Sequence, residues 1–199
     1  MHAKTGPART SNLGAVPSLP PDIRTLDSRV VYADPWIRLR EDRIERRDGS
    51  RGTYAVVEKR DFALVVPADN GGFHLVEEYR YPIQRRSWSF PQGGWPHGTT
   101  GEPEDLARLE LRQETGYRAR ELTRLGFLHC SHGTTNQGCD LFLATGLEPG
   151  TPDREPEEQD MRQQWVTRDE FEQMISRGVI TDDSTLAAYT LLLLHEKHG

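Results

Sequence analysis

Phe62-Ala63-Leu64-Val65-Val66-Pro67 is a continuous apolar run with no polar alternation. A strand with one wet face alternates apolar and polar residues, so an unbroken run of this length predicts a buried central strand. Asp69-Asn70-Gly71-Gly72 then turns the chain into Phe73-His74-Leu75-Val76-Glu77-Glu78-Tyr79-Arg80. Upstream, strand character begins at Arg29-Val30-Val31-Tyr32. Trp36 to Glu45 alternates apolar and charged at first, Arg47-Asp48-Gly49-Ser50 supplies a hairpin turn, and Thr53 to Glu58 returns. The front half is therefore read as a β meander of five strands. Ahead of it, residues 1 to 22 hold Gly6, Pro7, Gly14, Pro17, Pro20 and Pro21, a composition that predicts a flexible tail.

The rear half changes character. Glu102-Pro103-Glu104-Asp105 predicts a helix start, with proline at the first helical position and acids suited to the helix dipole. Gly116 predicts its end. Strands resume at Leu122–Leu128 and Asp140–Ala144, separated by the polar loop Ser131–Gly138. After an acidic loop over 147–160, a short strand at Gln164–Val166 and a helix over Arg168–Arg177 follow. A last helix spans 184–197, capped by Asp183 or Ser184.

Composition narrows the function classes. With 199 residues the chain suits one sizeable core, and no apolar run is long enough for a membrane span. Net charge is −6, which does not favour a surface for duplex nucleic acid. The N-terminus lacks the apolar core of a secretion signal. Cys130 and Cys139 are too few for a disulfide framework, so free buried thiols and a cytoplasmic location are expected.

The chemistry is concentrated between Phe90-Pro91-Gln92-Gly93-Gly94 and Gly116-Tyr117. Four residues apart on a helix, Glu110 and Glu114 present two carboxylates to one point, with Gln113 beside them. Hard divalent ions such as Mg²⁺ use one or two carboxylates together with substrate phosphates. Gly93 and Gly94 remove side chains, so that backbone can approach an ion or an anion.

Taken together, Gly94, Glu102, Glu110-Leu111, Glu114 and Gly116-Tyr117 resemble the Nudix box, G-x5-E-x7-R-E-U-x-E-E-x-G-U with U bulky and apolar. The resemblance runs over roughly 24 to 197. Glu78-Tyr79-Arg80-Tyr81-Pro82, Ser131-His132-Gly133, Asp140–Ala144 and Gly178–Asp182 are similar to the ADP-ribose pyrophosphatase branch. The box is degenerate. Seven residues rather than five separate Gly94 from Glu102, and six rather than seven separate Glu102 from Leu109. Leu109 stands where the box has arginine, so its ion pair must be replaced, by Arg108 or Arg112, or be absent. Gln113 replaces the first of the paired glutamates and removes one negative charge.

The resemblance implies an α/β fold: the Nudix α/β/α sandwich with a mixed sheet over 61–199, plus an N-terminal antiparallel β meander over 23–60 that mediates a homodimer. It also implies hydrolysis of the pyrophosphate bond in a nucleoside diphosphate linked to another moiety, ADP-ribose or a nucleoside diphosphate sugar, with Mg²⁺ or Mn²⁺. Its metal set falls on Glu110, Glu114, Gln92 and Gln113. Its general base falls on the late acidic loop, at Glu157 or Glu158. Substrate contacts fall on Arg80, Trp36, Gly93 and Gly94, with Trp95 a second ring able to stack on a base. His97 and His132 have no partner at metal-ligand spacing. The alternative is a catalytically weakened nucleotide-binding or regulatory module, favoured by Leu109, Gln113 and Gln137.

Overall fold

The computed structural model describes residues 22–96 and 98–198, with only the backbone of Glu157; the expected tail, Asp22 apart, and His97 lie outside them. Three antiparallel strands come first: β1 (Ile23–Ala33), β2 (Arg38–Arg46) and β3 (Arg51–Glu58), in the order β1-β2-β3. This is the expected meander, but it holds three strands rather than five, because β4 (Phe62–Asp69) and β5 (Gly72–Arg80) begin a second sheet. The small sheet is tied to the 131–138 loop. Val57 N–H donates to Thr134 O (2.8 Å), Tyr54 OH to Gly133 O (3.0 Å) and Lys59 N–H to Asn136 Oδ1 (3.0 Å).

The second sheet adds β6 (Arg85–Ser89), β7 (Gln92–Gly94), β8 (Arg118–His129), β9 (Gly138–Glu148) and β10 (Arg162–Thr167). Its order is β10-β5-β4-β9-β8, and β4 and β9 run parallel while every other pairing is antiparallel, so the sheet is mixed. β4 and β5 pair only at Ala68–Phe73 and Asp69–Gly72. Beyond that they part. Val76 and Glu77 pair with β6 and also with β10, so β6 must lie on the side of β5 away from β10. The gap between β4 and β5 is therefore filled by β6 on one lip and β7 on the other.

α1 (Pro103–Glu110) covers one face of the sheet; α2 (Arg168–Ser176) and α3 (Asp183–His198) cover the other. β4 explains why both layers are needed. Ala63 and Val65 pack with Leu106, Ala107 and Leu111, whereas Leu64 and Val66 pack with Phe171, Ile180, Ala188 and Leu192, and all four strand residues are fully buried. The expected central strand and α/β/α sandwich are both observed. α2 opens with a capping box between Thr167 and Glu170. α3 is capped by Asp182, whose Oδ2 accepts from Thr185 N–H at 2.8 Å, not by Asp183 or Ser184 as expected. Both cysteines are free, with Cys139 buried as expected and Cys130 only partly so. Among the described residues no helix is long and apolar enough to cross a membrane.

Candidate active site

The acidic helix does not end as an ordinary α-helix. After Glu110 it widens into a π-helical turn, Leu111–Thr115, and stops at Gly116 with φ +79°. Only glycine suits that position twice over: its φ is left-handed, and a Cβ there would lie 2.4 Å from Gly150 O. Leu111, fully buried under β4, pins the turn, so Glu110 and Glu114 are carried inward with it.

Both carboxylates are buried, Glu110 at 6% exposure and Glu114 at 2%. Glu114 Oε2 has no hydrogen-bond partner. Glu110 lies against the bare Cα of Gly93, where a Cβ would begin 2.5 Å from Glu110 Oε2. Burial, reinforced by the charges of Glu158 and Glu155, pushes the Glu110 carboxyl up to about 8. Burial first, then the charges of Glu110, Glu158 and Glu78, lifts Glu114 well above the usual carboxylate range, with a hydrogen bond from the Gln92 backbone N–H opposing. Two buried acids with one orphaned oxygen are expensive to keep unless a cation shares them.

Gly72, His74, Val76, Glu78 and Arg80 line one face of β5 by strand alternation, and the last two reach the lip of the split sheet. Arg80 Nη2 pairs with Glu78 Oε1 at 2.5 Å. Burial raises the Glu78 carboxyl although Arg80 opposes it. Glu158 closes a short 3-10 turn, Pro156–Glu158, and is half-buried; burial and then Glu155 and Glu78 raise its carboxyl. Of Glu157 the side chain lies outside the described residues.

A cavity of about 580 Å³ opens beside these acids, lined by Arg80, Gln92, Gly93, Gly94, Trp36 and Trp95 among others. All the sequence-selected substrate residues are thus brought together. Trp36 remains 67% exposed, on a β1–β2 loop that Asp34 Oδ1 holds by accepting from Trp36 N–H and Ile37 N–H, both at 2.8 Å. Gln113, like Glu110 and Glu114, is not among the residues that line the cavity, and its backbone oxygen accepts from Asp153 N–H at 3.0 Å. Neither arginine flanking Leu109 replaces the missing brace to the acids: Arg108 pairs with Glu104 at 2.9 Å and Arg112 with Asp153 at 3.2 Å. His132 stays outside the cavity, in its loop.

Sequence reasoning missed Lys59 and Arg60, which line the cavity from the connection between the two sheets. It also missed Asp182, Asp183 and Ser184 at the start of α3 as lining residues. Two adjacent cations before a strand signal nothing alone; only the docking of the meander turns them inward.

Among the described residues no group of three or more His, Cys, Asp or Glu is arranged to hold a metal ion. A site built on Glu110 and Glu114 therefore supplies two carboxylates and leaves the remaining positions to backbone, water or ligand oxygens. That donor set suits a hard divalent cation bound together with a phosphate.

Residues 58–189 match the NUDIX domain model, and residues 23–57 match the nucleoside diphosphate sugar hydrolase N-terminal domain. An ADP-ribose pyrophosphatase of Mycobacterium tuberculosis (strain ATCC 25618 / H37Rv) is 33% identical over 169 residues, 83% of this chain and 81% of that protein. An ADP-ribose pyrophosphatase of Bacillus subtilis (strain 168) is 26% identical over 87% of this chain and 94% of its own length. A solved structure of an ADP compounds hydrolase superposes with a TM-score of 0.77 at 18% identity, covering 89% of this chain and 95% of the other, which is likeness of fold.

Proposed function

Because the chain belongs to the NUDIX family and is a Nudix pyrophosphohydrolase, we propose that it hydrolyses the pyrophosphate bond of ADP-ribose or a related nucleoside diphosphate sugar, assisted by Mg²⁺ or Mn²⁺. One observation carries this reading. Two buried carboxylates a helical turn apart, one of them with an orphaned oxygen, adjoin a cavity that Arg80 and the bare Gly93-Gly94 backbone line.

Glu110 and Glu114 would hold the cation, with Gln92 at the rim of the same site. Bound there, a divalent ion would supply charge neutralisation at the phosphate oxygens and a lowered pKa for the attacking water. Arg80 exchanges its contact with Glu78 for a phosphate, whose geometry a guanidinium matches with two parallel bonds. Gly93 and Gly94 let the diphosphate lie close to the backbone. Trp36 stacks on the base from the rim. Glu158 takes the proton of the attacking water, and its raised carboxyl moves it toward the working range of a general base near neutrality. The water oxygen bonds to phosphorus as the bridging P–O bond breaks, giving a nucleoside monophosphate and a phosphorylated second product.

The small sheet leaves Val30, Val31 and Tyr32 each 53% exposed. We include in the proposal a homodimer that covers this patch, with sedimentation equilibrium as its check.

The test is a phosphatase-coupled release assay over ADP-ribose, other nucleoside diphosphate sugars and dinucleotides, with Mg²⁺ and Mn²⁺ in parallel. Turnover that requires the metal and falls by about 10²- to 10³-fold in Glu114→Gln supports the reading. Tight binding with no metal-dependent turnover on any substrate overturns it and leaves a nucleotide-binding module.

A further inference from the structure

Glu158 sits on a connection whose regular structure is a single 3-10 turn, Pro156–Glu158, yet a proton acceptor has to be placed to within a fraction of an ångström. The segment is held at the end of the acidic helix. Because the π turn stops at Thr115, the carbonyls of Gln113 and Glu114 have no amide ahead of them to accept from. Both are taken by the connection. Asp153 N–H donates to Gln113 O at 3.0 Å, and Arg154 Nε donates to Glu114 O at 3.2 Å. The other limb of the same guanidinium, Nη1, donates to Met161 O at 2.5 Å.

Arg154 therefore bridges three points: its own place in the chain, the far end of the loop at the buried Met161, and the backbone of the innermost acid. The loop between is closed on itself. Gln159 Nε2 donates to Arg154 O and to Glu155 O, both at 2.9 Å, Glu158 N–H to Glu155 O at 3.0 Å, and Met161 N–H to Glu158 O at 2.9 Å. Outside it, Arg86 holds Asp160 through Oδ2 (2.7 Å) and backbone O (2.9 Å).

We propose that Arg154 is a positioning residue, a clamp that fixes Glu158 relative to Glu110 and Glu114 by joining residues 154 and 161 to the Glu114 carbonyl. This rests on the hydrolase reading above. A planar guanidinium can serve two carbonyls in different directions at once; a lysine ammonium on a flexible stem keeps the charge without that fork.

The experiment compares wild type, Arg154→Ala and Arg154→Lys as full-length protein. Steady-state kinetics on the best substrate with Mg²⁺ are read beside amide hydrogen exchange in metal-free protein. Expected is a fall in kcat of about 30- to 100-fold in the alanine variant with KM within about twofold, because misplacement of about 1 Å costs on that scale. The lysine variant falls between. Exchange at Glu158 and Met161 accelerates while that of Ala63–Val66 in β4 is unchanged. Wild-type kcat in both variants, or exchange that accelerates equally in β4, overturns the clamp. Absence of metal-dependent turnover in the wild type overturns the hydrolase reading instead, and the exchange arm still decides whether Arg154 orders the loop.

Discussion

The two faces of the central sheet are built to opposite specifications. Toward α2 and α3, Phe73, Phe90, Phe171 and Tyr189 pack ring on ring with centroids 4.9 to 5.9 Å apart. The polar groups of that layer are paired: Phe90 N–H donates to Thr185 Oγ1 at 3.0 Å, and Tyr189 OH to Glu172. Toward α1 the buried packing is mostly aliphatic, Ala63, Val65, Leu106, Ala107, Leu111 and Ala144 with one ring, Phe142, and then gives way to buried acids. There Glu114 Oε2 and His74 Nε2 have no hydrogen-bond partner. Unpaired buried polar atoms cost stability, so the aromatic face offsets what the acidic face spends. The comparison teaches that cohesion and chemistry are separated by the thickness of one strand.

Substitutions that hit one face only should separate the two properties. Phe171→Ala removes the ring shared by the aromatic layer and should destabilise by about 3–5 kcal/mol. In a chain of this size that is a fall of roughly 10 °C in Tm, with kcat of the folded fraction unchanged. A large loss of kcat in fully folded Phe171→Ala would show that the faces are not independent. On the other side, Glu114→Gln should lower kcat by about 10²- to 10³-fold, the scale of losing one transition-state electrostatic contact. Circular dichroism should remain that of the wild type. Steady-state rates within a few-fold of wild type would remove Glu114 from the site.

Much of this contrast was written in the chain. The unbroken apolar run Phe62–Pro67 in β4 predicts a strand covered on both faces, and Glu110 and Glu114 at one-turn spacing share a face of their helix. Other parts were not legible, for physical reasons. β6 is Arg85-Arg86-Ser87-Trp88-Ser89 and β7 is three residues with two glycines, so neither carries a run of alternating apolar residues. Both exist because β4 and β5 part and leave edges to be filled. Arg154 was invisible because its partners are backbone carbonyls, that of Met161 and that of Glu114, the latter freed by a π turn that no side-chain pattern announces. Lys59 and Arg60 became part of the cavity only through the docking of the meander on the 131–138 loop. The cap of α3 was misplaced by one residue because Asp182, Asp183 and Ser184 are all competent caps, and only the chain entry angle selects among them.

The small sheet adds a weaker contrast, between the floor of the cavity and its rim. Arg80 and Gly93 belong to the large sheet, whereas Trp36 comes from the β1–β2 loop and is largely exposed. Trp36→Ala should raise KM about tenfold with kcat held within about twofold, since one stacked base is worth roughly 1–3 kcal/mol. Equal falls in kcat and kcat/KM would mean that the ring acts in the transition state, and an unchanged KM would take it out of the substrate site.

The smallest effect is also the one that joins the faces. Between about pH 4.5, where a free glutamate titrates, and about 8, where the Glu110 carboxyl does, the folded chain binds more protons than the unfolded one. The stability this supplies is complete below the lower value and is lost as pH rises through the upper one. Glu114→Gln removes one buried acid and the like charge beside Glu110, while an amide of the same shape stays in place. In metal-free protein the variant should therefore be the more stable one, by about 1 kcal/mol or more, or roughly 2–4 °C in Tm, with the gap widening from about pH 5.5 to about pH 8.5. Excess Mg²⁺ or Mn²⁺ should reverse the order, because a cation that binds only the folded wild type adds stability by mass action. A gap that ignores both pH and metal would mean that Glu114 is an ordinary core residue and that the acidic face was never built around a cation.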